Sequence, residues 1–287
     1  MIKLQNEKMS KHSTFKIGGI AENVYFPENL YEFKEIYSDE FIVIGNGSNI
    51  LFGDRTIKSP IIITTKMNNY HISDECIIAE CGAATINLAF KAAEKGLSGL
   101  EFAGGIPGTI GGCIYMNAGA HGGQMSDVVL QSQIMKENVG LRLGASNSTF
   151  MLNNKQHEFG YRTSVFCETK DIILQTTLKL KRGENSQIIS KMKDNLERRK
   201  ANQPFEFPSA GSIFKKVDGV SAGEIIDKCG LKGLTMGGAQ VSPKHAGFIV
   251  NIGGATAQDV LNLIEVVKNE VDKKMGIVLH EEVRFID

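Results

Sequence analysis

The sequence has no excess of either charge and no long apolar run. Lysine plus arginine and aspartate plus glutamate each number 32 among 287 residues, so the formal net charge is zero. Proteins that bind duplex nucleic acid usually carry a basic excess, so no nucleic-acid partner is expected. No stretch approaches the ~20 apolar residues that cross a bilayer. The N-terminal MIKLQNEKMSKHSTF also lacks the apolar segment of a secretory signal, so we expect no membrane insertion.

Several familiar motifs are absent as well. The five cysteines are scattered without a CxxC pair, which predicts neither a disulfide framework nor a zinc site and favours the cytoplasm. The six histidines show no HExxH spacing, so no metal site is predicted. GxxxxGK[ST] and GxSxG are also missing, which argues against a P-loop nucleotide site and against an α/β-hydrolase nucleophile.

The chain mixes strand and helix patterns without an internal repeat, which predicts an α+β fold of two lobes. A charged helical segment followed by Pro204 and Pro208 marks the boundary region, and we place the lobes at 1–184 and 185–287. Short β-branched runs predict strands at Phe41–Gly45, Pro60–Thr65, Cys76–Gly82 and Asp171–Lys181 and in the C-terminal IVLHEEVRFI. Helical spacing predicts helices at Thr85–Lys95, Asn185–Ala201, Ser221–Cys229 and Thr256–Met275.

The densest feature is Gly104–Gly123, with eight glycines in twenty positions. Glycine permits a close backbone approach to a ligand, and clustered amides can face phosphate oxygens. A flexible linker is the alternative, but Ile106, Ile110 and Tyr115 interleave with the glycines and indicate an ordered, buried run. We therefore predict a ligand-lining loop.

A second glycine turn, Gly45–Leu51, directly follows the strand predicted at Phe41–Gly45. A tight strand-to-loop turn would use the same residues, but Ser48 and Asn49 add donors suited to phosphate. The turn is not the dinucleotide-binding GxGxxG pattern, because Leu51 occupies the third glycine position. Two separate glycine sites predict a long ligand with a pyrophosphate, such as a dinucleotide.

Three residues could perform acid–base or electrostatic chemistry. Arg162 lies in GYRTSVF, Ser212 follows Ala-Gly in a predicted turn, and Glu282 lies on the terminal strand. An edge-strand arginine, a turn serine and an exposed carboxylate remain the alternatives. The basic run Arg198–Lys200 could either cover a solvated helix end or contact a substrate phosphate.

Together these motifs resemble those of the UDP-N-acetylenolpyruvoylglucosamine reductase family. They occur in the same order as in the family and extend over nearly the whole chain. The matching segments are HSTFKIGG (12–19), GNGSNIL (45–51), LEFAGGIPGTIGGCIYMNAGAHG (100–122), FGYRTSVF (159–166), PSAGSIFKK (208–216), GGAQVSPKHAGFIVN (237–251) and EEVRFI (281–286).

The resemblance implies a vanillyl-alcohol-oxidase-like FAD-binding lobe of two α+β subdomains, 1–184. It also implies a smaller α+β C-terminal substrate lobe, 185–287, whose last strand returns to the flavin lobe. NADPH would reduce a non-covalently bound FAD, which would pass hydride to the enolpyruvyl group of a UDP-linked amino sugar. Protonation of the adjacent carbon would give UDP-N-acetylmuramate, a peptidoglycan precursor used in building the cell wall.

The resemblance also implies residue roles. Arg162 and Glu282 would polarise the substrate carboxylate, and Ser212 would donate the proton, with Lys215 stabilising the resulting alkoxide. Substrate contacts would come from Tyr161, Lys200, Lys215 and His245. The expected FAD-binding residues are Gly45, Asn46, Gly47, Ser48, Asn49, Ile50, Gly105, Pro107, Gly108, Thr109, Gly111, Gly112, Asn117, Ala118 and Gly119.

The sequence departs from the family pattern at Lys216-Val217, where the family commonly has Asn-Pro, so an asparagine contact to substrate is not expected there. The chain also lacks room for the inserted tyrosine loop of one family branch. An oxidase of the same flavin superfamily is a second interpretation, since such enzymes often attach FAD to a histidine and His121 lies in the glycine stretch. A non-catalytic nucleotide-sugar binding module is a third.

Overall fold

The described residues form two compact, interleaved units. The computed structural model describes residues 1–38, 40–136 and 149–287. Unit 1 comprises Met1–Leu4, Val24–Asn46 and Ser59–Arg198, and unit 2 comprises Gln5–Asn23, Gly47–Lys58 and Arg199–Asp287. The assignment of functional lobes to 1–184 and 185–287 stays a prediction.

The predicted α+β class is confirmed by strands and helices that alternate along the chain. The strands are β1 (Ile2–Lys8), β2 (Ile20–Phe26), β3 (Ile42–Ile44), β4 (Ile50–Phe52), β5 (Ile61–Ile63), β6 (Tyr70–Ser73), β7 (Cys76–Glu80), β8 (Leu97–Ser98), β9 (Gly119–Ala120), β10 (Gly123–Gln124), β11 (Val129–Met135), β12 (Thr149–Asn153), β13 (Ile172–Lys179), β14 (Lys181–Arg182), β15 (Ser209–Ser212), β16 (Thr235–Met236), β17 (Ala239–Val241), β18 (Phe248–Asn251) and β19 (Arg284–Ile286). The α-helices are α1 (Leu30–Ile36), α2 (Thr85–Glu94), α3 (Ile110–Tyr115), α4 (Phe166–Thr169), α5 (Asn185–Asn202), α6 (Ala222–Lys228) and α7 (Ala257–Met275). Short 3₁₀ turns occur at Met9–His12, Thr64–Lys66, Glu101–Ala103, Met125–Asp127 and Asn154–His157.

Unit 1 contains a five-stranded antiparallel sheet of order β12-β11-β13-β7-β6 and its own apolar core. Strand β7 alternates as a half-buried strand should, with Ile77 buried and Ile78 exposed. Strand β5 is instead buried on both faces, because it pairs in parallel with β2 on one side and β3 on the other. Helix α2 buries Leu88 at helical spacing and ends before Gly96, whose φ of 65° only glycine adopts readily.

Unit 2 is built on an antiparallel sheet of order β15-β18-β17-β16, against which α7 buries an apolar stripe. Thr256 and Asp259 form the predicted capping box at the start of α7, and Gly276 ends the helix. The carboxylate of Asp54 accepts hydrogen bonds from the α7 amides of Ala257 and Gln258. Strand β19 pairs in parallel with β4, so the end of the chain lies beside the segment that follows the Gly45–Leu51 turn.

Two local expectations differ from the structure. The glycine-rich stretch is not a continuous loop, because it contains α3, capped by Thr109. The terminal strand begins only at Arg284, although Glu281 forms an isolated bridge with Phe214. Among residues 1–38, 40–136 and 149–287, no helix is long and apolar enough to cross a membrane.

His157 is a fully buried ionisable residue of unit 1. Its Nδ1 lies 2.7 Å from the carbonyl oxygen of Asn153, which can only accept, so Nδ1 carries the proton. Nε2 then accepts from the Ser132 hydroxyl at 2.9 Å, and Ser132 in turn contacts Thr176. Burial lowers the pKa of His157 below its usual range, so the folded protein holds the ring neutral.

We expect this ring to make the fold sensitive to acid. Below about pH 6.5 this histidine is protonated in the unfolded chain but stays neutral in the folded chain. The free energy of unfolding therefore falls as the pH falls. The thermal midpoint should drop more steeply from about pH 7.5 to about pH 5.5 in the wild type than in His157→Gln. His71→Gln, at an exposed histidine, is the matched control and should keep the wild-type slope. Parallel slopes for wild type and His157→Gln would contradict the assignment.

Candidate active site

Unit 1 contains a cleft of about 530 Å³ at the meeting point of the two predicted glycine sites. Asn46 of the Gly45–Leu51 turn lines it, together with Pro107, Gly108 and Thr109 of the glycine-rich stretch. The volume falls within the range typical of small-molecule sites. The cleft therefore brings together two segments that the sequence separates by about sixty residues.

The two segments touch because Gly45 has no side chain. A Cβ at position 45 would collide with the Thr109 hydroxyl, which caps α3 by accepting from Gly112 N–H. Asn46 Nδ2 donates to the carbonyl oxygen of Pro107 at 2.7 Å. These contacts hold the turn against the start of α3, whose first amides are already bonded within the protein, Ile110 N–H to Ala83 O and Gly111 N–H to Cys81 O.

Part of the cleft wall was missed by sequence reasoning. Gly82, Ala83 and Ala84 line it at the junction of β7 and α2, and Thr65, Asn68, Tyr70, Ile86, Asn87 and Leu88 complete the lining. Ala84 is the N-cap of α2 and its methyl group cannot accept a hydrogen bond. A strand followed by Gly-Ala-Ala and a helix was the available signal, since that sequence leaves a helix N-terminus uncapped.

Two buried thiols belong to or contact the glycine-rich stretch in unit 1: Cys113 lies in α3, and the backbone of Cys81 bonds Gly111. Burial raises the pKa of Cys81 to about 12 and that of Cys113 to about 11. Cys113 also accepts a hydrogen bond from the Thr85 hydroxyl. Both side chains are therefore protonated packing groups rather than nucleophiles.

Arg162 is held against the glycine-rich stretch in an unusual backbone conformation. Its φ is 55°, a region that costs free energy for a residue with a side chain and that often marks functional sites. Its Nη2 donates to the carbonyl oxygen of Gly119 at 2.9 Å, and its guanidinium lies 5.1 Å from the ring centroid of the exposed Tyr161. The structure thus places Arg162 beside the predicted cofactor segment.

Asn117 fixes the loop that carries Arg162. Its Nδ2 donates to the carbonyl oxygen of Gly160 at 2.9 Å and lies 3.3 Å from Oε1 of Gln124, while its Oδ1 accepts from Ser126 N–H. The side chain is 1% exposed, so these protein contacts use its amide. In this structure Asn117 ties the glycine-rich stretch to Gly160, two residues before Arg162.

The rest of the Gly45–Leu51 turn belongs to unit 2, where it contacts the end of the chain. Gly47 is buried with φ of 62°, and a Cβ there would collide with the carbonyl oxygen of His12. Asn49 Nδ2 donates to the carbonyl oxygen of Glu282 at 3.0 Å, and Asn49 O accepts from Arg284 N–H. The turn and Glu282 are therefore neighbours.

Ser212 lies at the end of a bulged strand rather than in the predicted tight turn. Strand β15 pairs with β18 at Ser209–Val250 and at Ser212–Phe248, with a register shift between the two pairs. Gly211, which lies at the register shift, has a φ of 78°, a left-handed conformation that glycine adopts without strain. Bulges re-aim side chains and are common near active sites, and here the Ser212 hydroxyl contacts the carbonyl oxygen of Phe214 at 3.1 Å.

The backbone of Ile213 links Ser212 to Glu282. Ile213 N–H donates to Gly247 O at 2.8 Å, and Ile213 O accepts from Glu282 N–H at 2.7 Å. Of the two adjacent carboxylates, Glu281 is paired with Lys268 at 2.8 Å, which lowers its pKa despite opposing burial. Neither carboxylate is fully buried, and both precede β19, which begins at Arg284.

The predicted substrate contacts divide between the units. Tyr161 is exposed in unit 1, whereas Lys200, Lys215 and His245 lie in unit 2. Lys215 N–H donates to His280 O, which fixes its backbone beside Glu282. His245 Nδ1 accepts from Gly247 N–H at 3.1 Å, and burial lowers the pKa of the ring, so Nε2 carries the proton and can serve as a donor.

Comparison with known families covers both parts of the chain. Residues 28–141 match the FAD binding domain family, and residues 203–286 match the C-terminal domain of UDP-N-acetylenolpyruvoylglucosamine reductase. The prediction of an FAD-binding lobe within an α+β fold is confirmed by these matches and by the structural similarity below.

Relatives of the same name match over nearly their full lengths. The UDP-N-acetylenolpyruvoylglucosamine reductase of Pediococcus pentosaceus is 40% identical over 99% of this chain and 94% of its own length. The Clostridium botulinum protein is 41% identical over 99% of this chain and 92% of its own. A crystal structure of the Thermus caldophilus reductase superposes with a TM-score of 0.85 at 31% identity, covering 100% of this chain and 98% of that one. The chain belongs to the UDP-N-acetylenolpyruvoylglucosamine reductase family.

Proposed function

We propose that this protein reduces UDP-N-acetylenolpyruvoylglucosamine to UDP-N-acetylmuramate, with NADPH as reductant and non-covalently bound FAD as cofactor. The observation that carries the proposal is its similarity, at about 40% identity over nearly the whole chain, to reductases of that name. The reaction is a step in peptidoglycan precursor synthesis, and through it the protein would contribute to cell-wall growth, cell shape and division.

The cleft residues fit a dinucleotide cofactor. Glycine at position 45 lets the turn pack directly against Thr109, and the N-terminus of α2, where Ala84 makes no side-chain cap, lines the cleft. Such N-termini attract phosphate groups. We propose that FAD is held by Gly45, Asn46, Gly47, Ser48, Asn49, Ile50, Gly105, Pro107, Gly108, Thr109, Gly111, Gly112, Asn117, Ala118 and Gly119.

When bound, FAD supplies hydride transfer from NADPH to the enolpyruvyl double bond. Addition at the terminal carbon leaves negative charge that spreads through the adjacent carbon into the substrate carboxylate. Arg162 is proposed to stabilise that charge, because a guanidinium offers a fixed positive charge and a two-pronged hydrogen-bond donor. Its bond to Gly119 O restricts the side chain before substrate arrives, which supports a preorganised role.

Ser212 and Glu282 are proposed to complete the reaction from unit 2. The Ser212 hydroxyl would give its proton to the adjacent carbon, and Lys215 would stabilise the alkoxide that remains. Glu282, whose backbone N–H donates to Ile213 O, would polarise the substrate carboxylate. The two backbone bonds of Ile213 support this assignment, because they fix the two residues in one local framework.

Substrate contacts are proposed for Tyr161, Lys200, Lys215 and His245. Lys200 is exposed near the end of α5, where a cation suits a phosphate-bearing ligand. The Nε2 proton of His245 gives a neutral donor. Location in the cytoplasm is part of the same proposal and is supported by five cysteines that are all unpaired in the structure.

The test is the spectrum and the two half-reactions of the purified protein. We expect flavin absorbance bands that NADPH bleaches and that the enolpyruvyl substrate restores. Protein that shows no flavin bands even after FAD is added would contradict the proposal. Flavin that stays attached after denaturation would instead favour a covalent oxidase with His121 as the attachment point.

A further inference from the structure

The N-terminal segment Ser13–Phe15, which we call the brace, touches both the glycine turn and the Ser212 strand within unit 2. It belongs to the HSTFKIGG motif, which no step of the proposed reaction uses. We propose that Thr14 is a positioning residue that holds the Ser212 strand in place relative to the Gly47–Asn49 turn. The inference rests on the proposed function, since it assigns Thr14 an effect on the step that Ser212 performs.

The turn side of the brace is a close backbone contact. Thr14 N–H donates to Gly47 O at 3.3 Å, and the preceding carbonyl oxygen of His12 fills the space where a Gly47 side chain would be. Ser13 Oγ accepts from Phe15 N–H, which fixes the local bend. The Phe15 side chain is fully buried in the core of unit 2, so the brace is anchored in that core and does not lie loosely on the surface.

The strand side of the brace depends on one side chain. Thr14 Oγ1 donates to Ser209 O at 2.7 Å, a bond between residues 195 positions apart. Asn251 Nδ2 donates to Phe15 O at 3.2 Å, so the brace is also fastened to β18, the partner of β15. Ser209 forms the first ladder pair of β15, with Val250, and Ser212 forms the second, with Phe248. The bulge lies between these two pairs.

Because the ladder is interrupted at the bulge, the direction of Ser212 depends on where the Ser209 end is held. Without the Thr14 bond, the Ser209 carbonyl loses its side-chain donor from the brace and the bulge can relax. A shift of about 1 Å in a reacting group can cost on the order of 10²-fold in rate. Thr14 therefore controls the Ser212 step without any contact with the reacting atoms.

Thr14→Val tests the bond with little change of shape, since it removes only the hydroxyl and keeps the backbone donor to Gly47. We expect reoxidation of the reduced flavin by saturating substrate to slow by about tenfold or more, while reduction by NADPH and the dissociation constant of FAD stay at wild-type values. Thr14→Ser retains the hydroxyl and should restore the rate. Thr235→Val removes a threonine-to-carbonyl bond, to Gly233 O, and a bond from Gln240 Nε2 elsewhere in unit 2, and it should have no effect.

Two further measurements separate positioning from general destabilisation. In FAD-free protein, hydrogen–deuterium exchange of a peptide covering 209–214 should speed up in Thr14→Val but not in Thr14→Ser or Thr235→Val. In a Ser212→Ala background, Thr14→Val should cause no additional slowing, because its effect passes through Ser212. Additive effects of the two substitutions, or a Thr14→Val rate equal to wild type, would overturn the inference. Failure of substrate to reoxidise wild-type flavin would overturn the proposed function instead.

Discussion

Ser212→Ala is expected to leave reduction of the flavin by NADPH unchanged and to slow its reoxidation by the enolpyruvyl substrate by roughly 10²- to 10⁴-fold. The first half-reaction involves no proton delivered to substrate carbon, so a missing hydroxyl has no role in it. The second requires a proton at the carbon next to the carboxylate, and water is a poorly placed substitute.

The structure gives this expectation a local basis. Ser212 is held by the β15–β18 ladder on one side and by Ile213, which bonds Gly247 and Glu282, on the other. Removing Oγ deletes one contact, to Phe214 O, and leaves these backbone bonds intact. The loss should therefore appear in the rate of one step and not in the stability of the fold.

Rapid mixing of each half-reaction measures the prediction. Ser221→Ala is a matched control, because Ser221 precedes α6 in unit 2 and its side chain makes no capping hydrogen bond there. It should match wild type in both steps. Equal slowing of both half-reactions by Ser212→Ala would rule out the proton-donor role.

Helix α7 shows what the sequence could predict. Its capping box, apolar spacing and terminal Gly276 are all local signals, and the helix was predicted within one residue of its observed start. The glycine-rich stretch shows the opposite case. Gly111 and Gly112 weaken helix propensity, yet α3 forms because tertiary bonds, such as Gly111 N–H to Cys81 O, hold it.

The site was predictable as a set of segments but not as a set of contacts. The Gly45–Leu51 turn was found from a strand followed by Gly-Asn-Gly-Ser. Its partners, His12, Pro107 and Glu282, lie far away in sequence, and each is met through a backbone carbonyl that leaves no residue-type signal. The brace was visible in the sequence only as a motif without a role.

Gly47→Ala is expected to abolish retention of FAD on purification and to destabilise the fold by roughly 2–5 kcal/mol. That range combines the cost of a left-handed backbone with the cost of forcing atoms into a packed site. Gly47 is buried, its φ is 62°, and its missing Cβ would point into the carbonyl oxygen of His12. The backbone must therefore move, and Ser48 and Asn49 move with it. A turn displaced in this way can no longer present its donors to a pyrophosphate.

Gly254→Ala separates the two causes, because Gly254 has a similar φ of 67° but no atom within 4 Å of the position that a Cβ would occupy. It should lose only the conformational part, about 1–2 kcal/mol, and should purify yellow. The FAD dissociation constant, from quenching of flavin fluorescence, and the thermal midpoint measure the comparison. If the two variants lose stability equally and both retain FAD, the contact between Gly47 and His12 does not hold the turn in its cofactor-binding shape. If Gly47→Ala alone loses FAD, the glycine at this position is required for space as well as for φ.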